Sequence, residues 1–380
     1  MKKTNTPENI IALLKSLKDD GVNEKEYNRH VKKMLEFKAR KCGIPLHGSF
    51  ELTPLCNFDC KMCYVHLDNS KFNSNNLLSV ENWKWIIKQA HEAGMLRATL
   101  TGGECLTYPG FEDVYLYLHE IGISPAVLSN GLLMDKRQID FFKRYYPRLI
   151  QVSLYGSSDD VYEAVTGHRV FDKVYENIVA LKEASLPVAI AITPSKYMKD
   201  DFRKLLEKVE ALNIPYNINS SLKPPRKNTG RIEEDLTTDQ YIDLYKIRSE
   251  IRNKTLETID PTELPDENRA YKRVYGLRCG AGRSAFAIKY DGRICPCFSL
   301  YEIDADPFVM GFHSAWNEIN TQVNNYLIPQ ECNGCVYYNY CLTCPALHTK
   351  APIEGHCDPR VCERTKKFVS VGLVPLPKES

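Results

Sequence analysis

The stretch "LTPLCNFDCKMCYVHLDN" carries Cys56, Cys60 and Cys63 at C-x3-C-x2-C spacing, just after a run that reads as a β-strand. Three thiolates with no fourth ligand close by describe a site left open. A structural zinc site is closed by four ligands, whereas an iron–sulfur cluster held by three cysteines keeps one iron free for a ligand or substrate. A second stretch, "TLTGGECLTYPGF", follows the next strand. Its Gly102 and Gly103 let the backbone approach a ligand closely, and Glu104 offers a carboxylate to an amine. Nine of the 14 cysteines then fall between Cys279 and Cys362, and their paired C-x2-C spacing also suits zinc ribbons.

These residues need elements to position them. From residue 48 onward, short β-rich runs alternate with amphipathic helical patterns, the signature of β/α units around a parallel sheet. The strands are "GSFELTP", "RATLTG", "SPAVLSN", "LIQVSL", "PVAIAIT" and "PYNINS". Between them, Trp83, Ile86, Ile87 and Ala90 share one helical face, as do Phe111, Val114, Leu118 and Ile121, and Phe171, Val174, Ile178 and Leu181. Six units end near residue 220, and a closed eight-unit barrel takes about 250 residues, so the expectation is a partial (β/α)6 TIM-like barrel, open at its side. In such barrels chemistry sits at the C-terminal ends of the strands, where both motifs fall. "SSLKPPRKNTGRIEEDL" reads as a linker and "TTDQYIDLYKIRSEIR" as a helix, followed by a cysteine-rich segment with the hairpin "IKYDGRI". The expected division is an N-terminal helical segment (1–47), the barrel (48–235), a helical linker (236–275) and a small cysteine-rich domain (276–380).

A chain of 380 residues builds a core without disulfides, nothing at its start reads as an export signal, and no apolar run reaches the roughly 20 residues of a membrane span. The expectation is a cytoplasmic protein whose thiols are reduced or bound to metal. A net charge of +2 from 50 basic and 48 acidic residues produces no field that draws in nucleic acid, so neither nucleic acid nor a membrane is expected as a partner. The basic run from Arg29 to Lys41 reads as a solvated helix face, with docking of an acidic partner segment as its other use.

The C-x3-C-x2-C after the first strand and the Gly-Gly-Glu after the second resemble the two most specific marks of the radical S-adenosylmethionine (SAM) superfamily, over residues 48 to about 220. The resemblance implies a 4Fe-4S cluster on Cys56, Cys60 and Cys63, whose fourth iron binds the amino and carboxylate groups of SAM. It also implies reductive cleavage of SAM to a 5'-deoxyadenosyl radical, with Glu104 and the Gly102-Gly103 backbone at the SAM amino group. Ser129 and Asn130 of "VLSNG" and Ser153 of "VSLYG" fall where the family contacts ribose and carboxylate. Two departures stand out: Met62 replaces a usual aromatic residue, and Cys105 follows the glutamate where proline is common. Cys105 reads as a buried thiol, since a fourth ligand would block SAM.

The late cysteines resemble the SPASM extension of radical SAM enzymes, which carries two auxiliary 4Fe-4S clusters. The resemblance assigns Cys279, Cys297 and Cys344 to the first and Cys332, Cys335, Cys341 and Cys362 to the second. The pair "CLTC" is shorter than usual, and Cys295 and Cys357 are surplus; Cys295 either completes the first cluster or leaves it with an open iron. Enzymes of this type modify peptides or proteins. The leading expectation is therefore a maturase of a ribosomally made peptide, forming a thioether or carbon–carbon cross-link or epimerising a residue. The alternatives are a sulfatase maturase that makes formylglycine, a dehydrogenase of a small molecule and a non-catalytic iron–sulfur carrier. An electron donor such as flavodoxin or ferredoxin is expected. Leader binding is expected to fall to a separate protein or to the basic helix, because residues 1–47 are too few for the recognition domain that some peptide maturases carry. No catalytic acid or base is assigned; Asp291 and Asp358 are the acidic residues nearest the late cysteines.

Overall fold

The computed structural model describes residues 24–65, 77–219, 222, 235–252, 277, 279–327, 329–332, 335–338, 341, 344 and 359–373. Helix α1 (Glu24–Cys42) leads into an alternating run: β1 (His47–Glu51), α2 (Val80–Glu92), β2 (Arg97–Thr101), α3 (Phe111–Glu120), β3 (Ala126–Ser129), α4 (Lys136–Arg144) and β4 (Leu149–Leu154). Two helices, α5 (Asp159–Thr166) and α6 (Phe171–Glu183), precede β5 (Val188–Ile192), and α7 (Phe202–Ala211) precedes β6 (Tyr216–Ile218). Then come α8 (Thr238–Ile251), β7 (Ala285–Ile288), β8 (Ile294–Cys295), α9 (Pro307–Met310), α10 (Phe312–Asn324) and α11 (Pro359–Ser370). All six expected strands and the expected hairpin are present. The linker at 220–236 and the segments around Asp358 and Cys357 lie almost wholly or wholly outside the described residues.

Strands β1 to β6 are parallel neighbours in sequence order, as β/α units demand. The hairpin then docks on the free side of β1: β7 runs parallel to it and β8 returns antiparallel, completing an eight-stranded sheet in the order β6-β5-β4-β3-β2-β1-β7-β8. The cysteine-rich segment thus begins as part of the barrel's own sheet.

Pairing register separates two faces. Phe50, Leu100, Val127 and Ile150 share one row and are fully buried under the helices. Phe50 meets the Trp83 ring of α2 edge-on at 6.1 Å, and Phe286 of β7 meets Phe312 of α10 at 5.4 Å. Gly48 belongs to this row because a Cβ there would lie 2.6 Å from the Phe286 ring. The opposite, concave face carries Ser49, Thr99, Gln151, Ala189, Asn217 and Ala287, placed there by the alternation of each strand. A closed barrel fills that face with bulky branched residues; small and polar side chains leave an open trough.

Helix α1 lies at the N-terminal end of the strands. Glu36 pairs with Arg97, the first residue of β2, at 2.9 Å, and Trp316 of α10 donates its indole N–H to the Gly43 carbonyl at 2.6 Å. The basic helix therefore sits at the end of the barrel away from the three-cysteine loop. Among the described residues no helix is long and apolar enough to cross a membrane.

Candidate active site

The three-cysteine loop continues β1, and the Gly-Gly-Glu loop continues β2. Their ladder runs past the strands: Leu52 donates to Thr101 O at 2.9 Å, Gly103 to Thr53 O at 2.8 Å and Glu104 to Leu55 O at 2.8 Å. What the two glycines approach is this backbone. A Cβ on Gly102 would sit 2.4 Å from Thr53 O, and one on Gly103 2.3 Å from Leu55 O, so the glycines bring the two loops together into one surface.

A second support comes from α5. Its last carbonyls are met by the loop, with Asp59 N–H donating to Thr166 O at 3.0 Å and Lys61 N–H to Val165 O at 2.9 Å. Gly167, in the left-handed region at φ 80°, ends that helix, and the Phe58 ring stacks on His168 just beyond it, centroids 5.5 Å apart. Sequence reasoning missed this buttress, although "VTGHR" carries the helix-stop glycine as its only signal.

The thiols are crowded. Burial pushes Cys56 up to about 11, and Cys60 is driven well above the usual thiol range, first by burial and then by Cys63 and Cys56 beside it. Three mutually repelling thiolates are what a cationic iron centre relieves, so the donor set fits an iron–sulfur cluster. No group of three or more His, Cys, Asp or Glu side chains suited to a single metal ion occurs among the described residues.

Glu104 is fully buried and committed to protein donors. Its oxygens accept from Leu106 N–H at 3.1 Å, from the Ser129 hydroxyl at 3.0 and 3.1 Å, and from Asn130 N–H at 2.7 Å, while burial raises its pKa. Ser129 lies in the helix-facing row with Val127, which explains why its hydroxyl reaches Glu104 rather than the trough. The Asn130 amide donates to Asn57 Oδ1 at 2.7 Å and reaches Cys56 Sγ at 3.7 Å, tying the β3 end to the cysteine loop. Ser153 lies on the concave side, half-buried. Cys105 is fully buried and its thiol donates to Leu128 O at 3.3 Å, as a non-ligating cysteine does. Met62 is buried in the core. Tyr155, unremarked in the sequence, lies close enough to Cys60 for that thiol, after burial, to raise its pKa.

Of the late cysteines, Cys332 is buried with Cys362 packed against it, and Thr365, one turn along α11 from Cys362, donates to Cys341 Sγ at 3.6 Å. Cys335 shares the turn with Cys332, its N–H donating to Cys332 O at 3.3 Å. Cys297 and Cys344 pack against the main core, Cys279 is exposed and Cys295 is buried. Asp291 accepts from Arg293 N–H at 3.2 Å, a turn residue's bond.

Residues 50–209 match the family model described as the radical SAM superfamily. The antilisterial bacteriocin subtilosin biosynthesis protein AlbA of Bacillus subtilis strain 168 is 25% identical over 321 residues, covering 79% of this chain and 67% of AlbA. The sporulation killing factor maturation protein SkfB of the same strain is 24% identical over 256 residues, covering 67% of this chain and 60% of SkfB. The crystal structure of Streptococcus suis SuiB bound to S-adenosylmethionine superposes with a TM-score of 0.68 at 16% identity, over 94% of this chain and 88% of SuiB, a likeness of fold. With its open parallel sheet and its three-cysteine loop laid against Gly-Gly-Glu, residues 50–209 form a radical SAM domain.

Proposed function

We propose that this enzyme modifies a ribosomally made peptide, forming a thioether or carbon–carbon cross-link or epimerising a residue. The observation that carries the reading is the relationship to AlbA and SkfB, proteins of bacteriocin biosynthesis and killing-factor maturation. The open trough supports it, since an extended segment can enter where a filled barrel would exclude it. Cys56, Cys60 and Cys63 hold the SAM cluster, with the Gly102-Gly103 backbone, Glu104, Asn130 and Ser153 around SAM and Ser129 holding Glu104. When bound, that cluster supplies the electron that cleaves SAM. The chain's own residues seat the loop, keep water from it and fix Glu104.

Two auxiliary clusters belong to the same proposal, on Cys279, Cys297 and Cys344 and on Cys332, Cys335, Cys341 and Cys362, within a 276–380 domain that follows the 48–235 barrel and the 236–275 linker. The packing of Cys332, Cys341 and Cys362 supports the second group. The electron donor is an acidic flavodoxin or ferredoxin in the cytoplasm. Lys61, in the cysteine loop, and Lys196 flank the Tyr197 ring at 4.5 and 5.4 Å, which places positive charge over the cluster loop for such a partner. Leader binding falls to a separate protein, because the basic helix α1 lies at the other end of the barrel.

Incubation with a candidate short peptide encoded beside the gene is the test. A loss of about two hydrogens, or deuterium incorporation at one α-carbon without mass loss, is expected. Formylglycine made from a Cys or Ser peptide without a leader, or consumption of a small metabolite alone, would replace this reading. Protein reconstituted without oxygen should carry about 12 iron atoms, and Cys56, Cys60 and Cys63 changed together to Ala should remove about a third of them. A colourless, zinc-loaded C-terminal segment would overturn the auxiliary assignment.

A further inference from the structure

Two opposite charges stand side by side at the catalytic end of the trough. Glu51 closes β1 and Lys289 follows β7 directly; the register Phe50↔Ile288 makes them neighbours one step later, on the concave side with Ser49 and Ala287. Both are nearly withdrawn from solvent, Glu51 at 1% exposure and Lys289 at 4%. Tyr301, four residues beyond Cys297, lies over the pair. Its hydroxyl donates to Glu51 Oε2 at 3.3 Å, and the Lys289 ammonium stands 4.1 Å from its ring centroid. Lys289 also pairs with Asp304, which Arg293 holds from its other side at 2.5 Å.

Burying such charges costs several kcal/mol per ion and seldom adds net stability, so packing of the hairpin on β1 does not by itself call for them. Their place does suggest a use. Glu51 lies two residues before Thr53, whose carbonyl binds Gly103, and half-buried Tyr301 lies on the trough side of Glu51 and Lys289.

We infer that Glu51 and Tyr301 form the proton acceptor of the peptide reaction, a phenol-to-carboxylate relay facing the trough. The inference rests on the peptide reading and narrows it to an oxidative bond formation. In that reaction one peptide C–H bond breaks homolytically and its hydrogen atom ends in 5'-deoxyadenosine. A second peptide group, X–H, gives its proton to the Tyr301 oxygen as the Tyr301 proton passes to Glu51. The C–X bond forms, and the one electron left over goes to an oxidised iron–sulfur centre. Epimerisation returns a hydrogen atom to the same carbon and releases no proton, so it has no use for such a relay. Lys289 and Asp304 are positioning residues that hold the Tyr301 ring over Glu51.

The test compares Tyr301→Phe and Glu51→Gln with the unaltered full-length, cluster-loaded enzyme on a precursor peptide deuterated at the reacting carbon. Peptide affinity by fluorescence anisotropy, without turnover, and deuterium transfer into 5'-deoxyadenosine should stay within about twofold of wild type. Cross-linked peptide formed per deoxyadenosine should fall about 100-fold in both variants, the usual worth of a positioned acid–base group. If Glu51→Gln does not fold, Tyr301→Phe, which deletes one oxygen atom, carries the test alone. Product and deoxyadenosine falling together at a constant ratio would show that the network only holds the hairpin, and an unchanged ratio would equally overturn the relay. An epimer made by the wild-type enzyme sinks the relay and leaves the peptide reading standing. If no peptide is altered at all, both fall.

Discussion

Glu104 shows how a residue's chemistry is decided by its donors. Removing its side chain leaves the Ser129 hydroxyl and the Leu106 and Asn130 amides without acceptors in a buried pocket, each costing about 1–3 kcal/mol. Glu104→Ala is therefore expected to lower stability by roughly 3 kcal/mol or more, visible as a fall in Tm, and to loosen the cysteine loop through Asn130. A variant with wild-type Tm would mean that these buried donors find other acceptors and that the carboxylate does not brace the fold. Gly103→Ala tests the same surface from the other side. Its methyl group would meet Leu55 O at 2.3 Å, a backbone atom that cannot step aside without moving the loop. A loss of about 2 kcal/mol and of the SAM cluster's share of iron is expected, with the auxiliary iron retained. The Gly-Gly-Glu motif was legible in the sequence, but its partners were not, because Thr53, Leu55 and Ser129 are brought to it only by strand order.

At the scale of elements, β1 is the hinge of the molecule's chemistry: it launches the cysteine loop, pairs with β2 on one side and receives β7 on the other. Its first residue, His47, bonds Thr99 Oγ1 at 2.9 Å, and burial, then Arg148 and Arg97, lowers its pKa from 6.5 to about 4. The folded protein resists that proton more than the unfolded chain does. Stability should thus be full above pH 6.5, decline as pH falls through the window, and level off below about 4. The shift bounds the effect at about 3 kcal/mol, and partial exposure makes it smaller. Urea titrations between pH 4 and 7 on the wild type and His47→Gln check this; an equal slope in both would assign the acid sensitivity elsewhere. Helix periodicity was readable here, since Trp83, Ile86, Ile87 and Ala90 are all fully buried as their spacing requires. The union of β7 with β1 was not, because β-pairing across more than 200 residues leaves no local pattern.

For the whole molecule, the two ends of the barrel are chemically unlike. One is closed by the basic helix α1, and the other carries the three-cysteine loop, the trough mouth and the lysines at Tyr197. If an acidic donor docks over the cluster loop, Lys61→Glu with Lys196→Glu should slow flavodoxin-driven turnover about tenfold at low salt and flatten its salt dependence, while turnover driven by dithionite stays unchanged. Equal losses with both reductants would place the lysines in the fold of the loop instead.

The sequence by itself determined the cysteine spacing of the loop, the β/α alternation and the six parallel strands, because cysteine spacing and hydrophobic period are local properties written within a few residues. Tertiary structure alone decided that Gly102 and Gly103 face the backbone of residues 53–55, that α5 and His168 hold the cysteine loop, and that the late hairpin extends the barrel's sheet. It likewise set Glu51, Lys289 and Tyr301 against one another from positions far apart in the chain. Each of those depends on which strands become neighbours and in what register, and the free energy that fixes it comes from burying side chains of distant segments together rather than from any local preference of the residues concerned.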